Sequence, residues 1–314
     1  MNDVGHGFQM RRLTVLVVTI VFFAVFISAC SPKRYAINTV GDMLAAGDSV
    51  YESDDDIIFI GEALPFSLKL VESLLVESPD HRGLLLTASR GYVLYAYAYI
   101  HYEAELASLV DFENARALRR RARKFYLRGL AYGIRALNLS SPGFDKTLLA
   151  DPVQAALQIP VSFSESDVPF LYWSAAALGL AISVSKNDPA MLARLPEVEA
   201  MLDRGLTLDE AWERGALHEF KIVWAAAQRT RASESVLRQH YTRALELSNG
   251  ERASLFVALA EAVSVSNQNR QEFQSLLETA LAVKPNVDPR HRLMNAIAQR
   301  RARWLLNRID DLFL

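Results

Sequence analysis

With one cysteine in 314 residues, the chain has no intrachain disulfide to hold it, and its fold must be stable by packing alone. One-sided charge is missing as well: 34 basic residues stand against 36 acidic ones with no basic face, which argues against nucleic acid as a partner. Gly-x-Ser-x-Gly, P-loop and dinucleotide-binding fingerprints are all absent. His81, His101, His218, His240 and His291 are scattered, with no His-x-x-x-His or Glu-x-x-His spacing to set two ligands on one helical face. No catalytic residue, metal or cofactor is expected, and the chain does not read as an enzyme. Period-two alternation is also lacking, which argues against a sheet.

What is present begins at the N-terminus. Arg11 and Arg12 precede an apolar run from Leu13 to Ala29, followed by Ile27-Ser28-Ala29-Cys30 at its end. A charged segment, an apolar segment and small residues before the cut make a secretory signal. An aliphatic residue three positions before the cysteine is the lipobox pattern, in which the thiol is diacylated and becomes the new N-terminus. The competing reading is an uncleaved transmembrane anchor, for which the run is at the short end. Residues 1–29 are expected to be a lipoprotein signal peptide, 30–50 a lipidated N-terminus with a polar tether from Ser31 to about Asn38, and 51–314 one helical domain. Ser31 after Cys30 resembles the outer-membrane-directed type, so the cell envelope, facing the periplasm, is the expected location.

From Ile57 onward apolar residues recur at three and four, and Gly and Pro fall between segments. The pattern predicts helices at 57–77, 80–107, 111–139, 146–158, 167–186, 189–206, 208–229, 233–247, 251–267, 269–283 and 290–312. Related segments such as Arg135-Ala136-Leu137-Asn138-Leu139, Arg243-Ala244-Leu245-Glu246-Leu247 and Thr279-Ala280-Leu281 recur at spacings near one or two multiples of about 34 residues, the tetratricopeptide period. The fold expected is all-α, a tetratricopeptide-like stack of antiparallel helix pairs.

Aromatic residues carry most of the remaining information. Tyr92, Tyr95, Tyr99 and Tyr102 recur at three, four and three, placing four phenols on one helical stripe suited to a groove, a tunnel wall or an interface. Core packing with the hydroxyls at the edge is the plainer alternative. Tyr172-Trp173 precedes Ala175, Ala176, Ala177 and Gly179, whose small side chains let a neighbouring helix come close. His218, Lys221 and Trp224 share a helix and make a polar point in an apolar wall. The candidate ligand wall is therefore Tyr95, Tyr99, Tyr172, Trp173, His218 and Trp224. The acidic cluster Glu52, Asp54, Asp55, Asp56 reads as a solvated loop or a helix N-terminus rather than a metal site. His101 and Glu105 read as a surface ion pair. The runs Arg116 to Lys124 and Arg300, Arg301, Arg303 read as solvated helix surface.

The ordered set of Ala122 to Leu137, Tyr172 to Gly179, Gly215 to Phe220, Tyr241 to Leu247, Met294 to Leu306 and Asp310-Asp311-Leu312-Phe313 resembles the TRAP transporter T-component family. The resemblance covers nearly the whole chain after Cys30. It implies a periplasmic lipoprotein of cryptic tetratricopeptide-like pairs, without catalysis, serving a tripartite ATP-independent periplasmic uptake system. The implied partner is the system's periplasmic solute-binding protein. The implied assembly is a homotrimer with a tunnel through each subunit, handling a small apolar or organic-acid ligand. A structural lipoprotein that scaffolds other envelope proteins without a ligand is the alternative. One departure from the family is Thr230-Arg231-Ala232-Ser233-Glu234-Ser235, where a Gly-Gly turn is usual.

Overall fold

A computed structural model describes residues 32–46, 48–150, 159, 163–228, 232–284 and 288–313. The Ile27-to-Cys30 lipobox and the Thr230-Arg231 half of the divergent loop lie outside the described residues. Among those described, every regular element is helical and no strand forms. The helices are α1 (Pro32–Ala46), α2 (Asp48–Glu52), α3 (Ile57–Glu77), α4 (Arg82–Tyr95), α5 (Tyr102–Ala107), α6 (Phe112–Ser140), α7 (Phe144–Ala150) and α8 (Val168–Ser183). There follow α9 (Pro189–Leu192), α10 (Leu195–Leu208), α11 (Ala216–Ala227), α12 (Glu234–Ser248), α13 (Ala253–Leu259), α14 (Arg270–Ala282), α15 (Arg292–Leu306) and α16 (Ile309–Leu312).

Local chemistry sets many of the boundaries. Asp56 caps α3 by accepting from the amides of Ile58 and Phe59, which is what the acidic cluster was expected to do. Asp111 caps α6 and Asp188 caps α9, where Pro189 occupies the first turn. Three boundaries differ from expectation. The stretch 189–206 breaks after α9, because Pro196 supplies no amide and starts α10 as a new helix. The stretch 208–229 is helical only from Ala216. Asp209 captures the amide of Ala211, and Glu213, Arg214 and Gly215 all take left-handed dihedrals. Gly215, at φ +87°, sits against Ala244 and Leu247 and tolerates that conformation because it has no Cβ. The third difference is the tether. Pro32–Ala46 is a helix fixed to α4, with Gly41 against His81 and Leu84 and with Lys33 paired to Glu77 at 2.7 Å. A short polar stretch packs here because the α3–α4 corner offers it a surface.

Consecutive helices pack in series: α3 on α4, α4 on α6, α6 on α8 and α8 on α10, then α11 on α12, α13 on α14, and α14 on α15. The result is an all-α, solenoid-like stack. Gly133 marks its tightest crossing, since a Cβ there would lie 2.2 Å from Ser174 Oγ of α8. One large core runs from α3 to α11 and a second joins α13, α14, α15 and the C-terminus. A small third core matters more for shape: Ile60, Ala98, Leu293 and Ile297 join α3 and α15 across the length of the chain. The last long helix thus returns to the first layer, and the stack closes around an interior.

Two π-type turns interrupt the helices, the first of them bordering that interior. Ala96–His101 separates α4 from α5, and Ala260–Ser264 follows α13. An extra residue per turn rotates everything after it, and such bulges are frequent at functional sites. The tyrosine stripe is divided as a result. Tyr92 stacks on Tyr132 and Tyr95 meets Phe125 edge-on, both against α6. Tyr99 donates to the Ile57 carbonyl, and Tyr102 meets Trp304 of α15.

Candidate functional site

The interior is a row of adjoining cavities. The first, of about 430 Å³, lies between α3 and α4 and is closed by Leu293 and Ile297 of α15. Its wall is almost wholly aliphatic and aromatic: Leu64, Leu68, Val71, Leu94 and Tyr99, with Phe66 and Leu70 at the rim. Arg90, Leu94 and Leu293 also line a second, smaller cavity, whose far wall is Tyr172, Trp173, Trp212 and Met294. Tyr172, Trp173 and Met294 then line a third, of about 170 Å³, with Tyr97, Glu219 and Phe220. Leu180, Phe220 and Val223 join this to a groove of about 790 Å³ between α8, α9, α10 and α11.

Most of the charged side chains lining the first three cavities are paired. Arg90 pairs with Glu52 at the junction of the first two cavities. Arg252, buried, donates 2.9 Å bonds to Glu219 and to the Glu213 carbonyl. His291 lies between Asp288 and Glu213, 3.1 Å from each. That hydrogen bond holds the Glu213 carboxyl below its ordinary range, and Arg290 does the same for Asp288. Burial pushes the hydroxyls of Tyr97 and Tyr172 up, although each keeps part of its surface open to a cavity. Polar groups already satisfied in this way leave an enclosure that selects by shape and aromatic contact. Among the described residues no group of three or more His, Cys, Asp or Glu could hold a metal ion.

The six residues named from the sequence fall in three places. Tyr99, Tyr172 and Trp173 line the enclosed cavities. Trp224 lines the groove and donates to Glu199 at 2.5 Å. Tyr95 lines none of these cavities and packs between Tyr99 and Phe125, and His218 is likewise set apart in a polar network. Its Nδ1 lies 2.8 Å from His240 Nδ1, and its Nε2 lies 3.2 Å from Glu210. Beside it Lys221 meets Asp203 at 2.7 Å and also Glu199. Burial would lower the Lys221 ammonium, but the two carboxylates outweigh it and hold its pKa above the ordinary value.

Sequence reasoning missed Tyr97, Arg90, Leu94, Met294 and Ile297. Tyr97 is off the three-four stripe and shares its cavity face with Val93 and Leu94, four and three residues before it. The basic run at 300–303 needs correction too. Arg301 is part-buried and bridges Glu105 of α5 and Glu261 of the second π-type turn, while Arg300 lies 4.2 Å over Tyr102 and donates to the Ala98 carbonyl. Glu105 is thereby engaged, so the expected ion pair with His101 does not form. The imidazole of His101 is instead 3.0 Å from Tyr126 Oη.

Residues 53–313 match the TRAP transporter T-component family. An uncharacterized protein of Treponema pallidum (strain Nichols) is 27% identical over 322 residues, spanning 97% of this chain and 100% of that protein. A family match from just before α3 to the C-terminal turn agrees with the resemblance read from the ordered segments. The chain belongs to the TRAP transporter T-component family, and its role is that of an accessory of a TRAP transport system of the cell envelope.

Proposed function

We propose that this chain is the lipid-anchored accessory of a TRAP uptake system, docking the periplasmic solute-binding protein and holding a small apolar or organic-acid ligand in its closed interior. Acylated Cys30 keeps it on the periplasmic face of the envelope, on the outer membrane, as a homo-oligomer without chemistry of its own. The observation that carries the reading is the row of cavities through the middle of the stack, walled by Leu94, Tyr97, Tyr99, Tyr172, Trp173 and Met294. A stack built only to scaffold other proteins gains nothing from such an interior, because unfilled apolar cavities forfeit packing.

Titration with the cognate solute-binding protein tests the docking half. A complex at roughly micromolar concentration is expected, and its absence at tens of micromolar would sink the transport reading in favour of the scaffold. Trp173→Ala tests the other half: native mass spectrometry of the purified protein is expected to find less or different small-molecule content. Unaltered content would assign Trp173 to packing alone.

A further inference from the structure

The outer face of the first layer is unusually apolar for a surface. On α3, Phe59 is 60% exposed and Phe66 75%, with Leu70 and Val76 beyond them; on α1, Tyr35 and Met43 are exposed to 76% and 69%. At 100° per residue Phe59, Phe66 and Leu70 form one stripe, opposite the buried Leu68, Val71 and Leu75. Charge on this face is mostly paired: Glu72 turns inward with Lys69 tied to it, Glu77 pairs with Lys33 and Asp42 lies 3.2 Å from His81, while Glu62 is exposed. The terminal layer of a stacked fold ordinarily presents a polar face. Here it presents an apolar one.

We propose that this face of α1 and α3 lies on the lipid bilayer that holds the N-terminus, so that the mouth of the first cavity opens at the membrane surface. The proposal rests on the reading that the run Leu13–Ala29 and Cys30 attach the chain to a bilayer, and it holds for a lipidated cysteine or an uncleaved anchor alike. Pro32 begins α1 two residues after Cys30, so the first turn of α1 is within about 7 Å of the attachment point. Nor does α1 swing freely. Its pairing of Lys33 with Glu77, its bond of Asn38 to Ser78 and its packing of Gly41 on His81 and Leu84 fix it to the α3–α4 corner. A rigid body tied that closely presents to the membrane the layer that carries the tie.

Aromatic and aliphatic side chains then enter the headgroup boundary, as they do on interfacial helices. Phe66 and Leu70 belong to the exposed stripe and also to the rim of the first cavity. The entrance therefore faces the lipid surface, and the ligand class it suits is one that partitions there.

The full-length protein, reconstituted on vesicles of phosphatidylcholine and phosphatidylglycerol, tests this with nitroxides attached to Phe66→Cys and Met43→Cys, the native cysteine being acylated. Both sites are exposed, so neither substitution threatens the fold, which circular dichroism checks. Labels at both positions are expected to be reached by oxygen and shielded from an aqueous nickel complex, while a label on Val236→Cys of α12 shows the reverse. Protein that floats with the vesicles while its Phe66 and Met43 labels stay open to the nickel complex would overturn the proposal and leave the anchor intact. Spin–spin broadening at Phe66 that vanishes on dilution with unlabelled protein would also overturn it, by assigning the face to a second copy. Failure to float would remove the anchor and this face together. Titration of the same vesicles with the solute-binding protein reports separately on docking.

Discussion

Two clusters of charged side chains serve different ends. One joins α10, α11 and α12: Lys221 reaches Asp203 and Glu199, 18 and 22 residues away, and His218 reaches His240, 22 residues away. The other is the closing seam, where Arg301 reaches Glu105, 196 residues away, Arg300 reaches Ala98, 202 away, and Arg292 reaches Ser53, 239 away. The first ties neighbours that the chain already holds together. The second ties the ends, and without it the row of cavities has no fourth wall. A polar cluster's importance for the interior follows from which elements it joins.

Breaking the seam is expected to have the largest effect. Arg301→Met leaves Glu105 and Glu261 without their shared cation at a part-buried seam, and should lower unfolding free energy by about 2 kcal/mol. Hydrogen exchange should then quicken together in α5 and α13, two elements far apart in sequence. Loss confined to one of them would refute the clamp. Lys221→Met is expected to cost less, about 1.5 kcal/mol by denaturant titration, because Glu199 and Asp203 are half exposed and return to water. Its exchange effects should stay within α10 to α12. A cost matching that of Arg301→Met would erase the contrast.

The smallest effect depends on pH. Burial first, and then the neighbouring His218, hold His240 down to about 4, against an unfolded value near 6.5. The unfolded chain therefore binds more protons between those values. This contribution to stability is complete above about pH 6.5 and is lost as pH falls toward 4. Burial lowers His101 as well, so the seam side contributes in the same sense. Urea midpoints at neutral pH and at about pH 5 should differ less in His240→Asn than in the parent. An unchanged difference would remove His240 from the network's titration.

Much of the fold was legible because its signals are local. Asp56, Asp111 and Asp188 each announce a helix by capping it within three residues, and the three-four apolar spacing sets which face is buried. The candidate wall was legible only in part. Tyr172 and Trp173 do line cavities, on a helix whose Ala175 and Gly179 let neighbours come close and leave the aromatics to fill the space beside them. His218 and Tyr95 misled because polarity and periodicity identify a face without saying which neighbour meets it. Arg301 misled for the opposite reason: a basic run on a helix resembles solvated surface until its carboxylates arrive from elsewhere in the chain.

The order of residues by itself determined an all-α stack, without disulfides and with near-neutral charge, and its ordered segments pointed to the TRAP transporter T-component family. Those are consequences of composition, period and spacing, which act over a few turns. Only the tertiary structure decided that α15 returns to α3, that Tyr97 faces a cavity, and that α1 is bolted to the first layer with an apolar face beside it. The reason is range. Closing a chain on itself depends on contacts some two hundred residues apart, and no local preference records them.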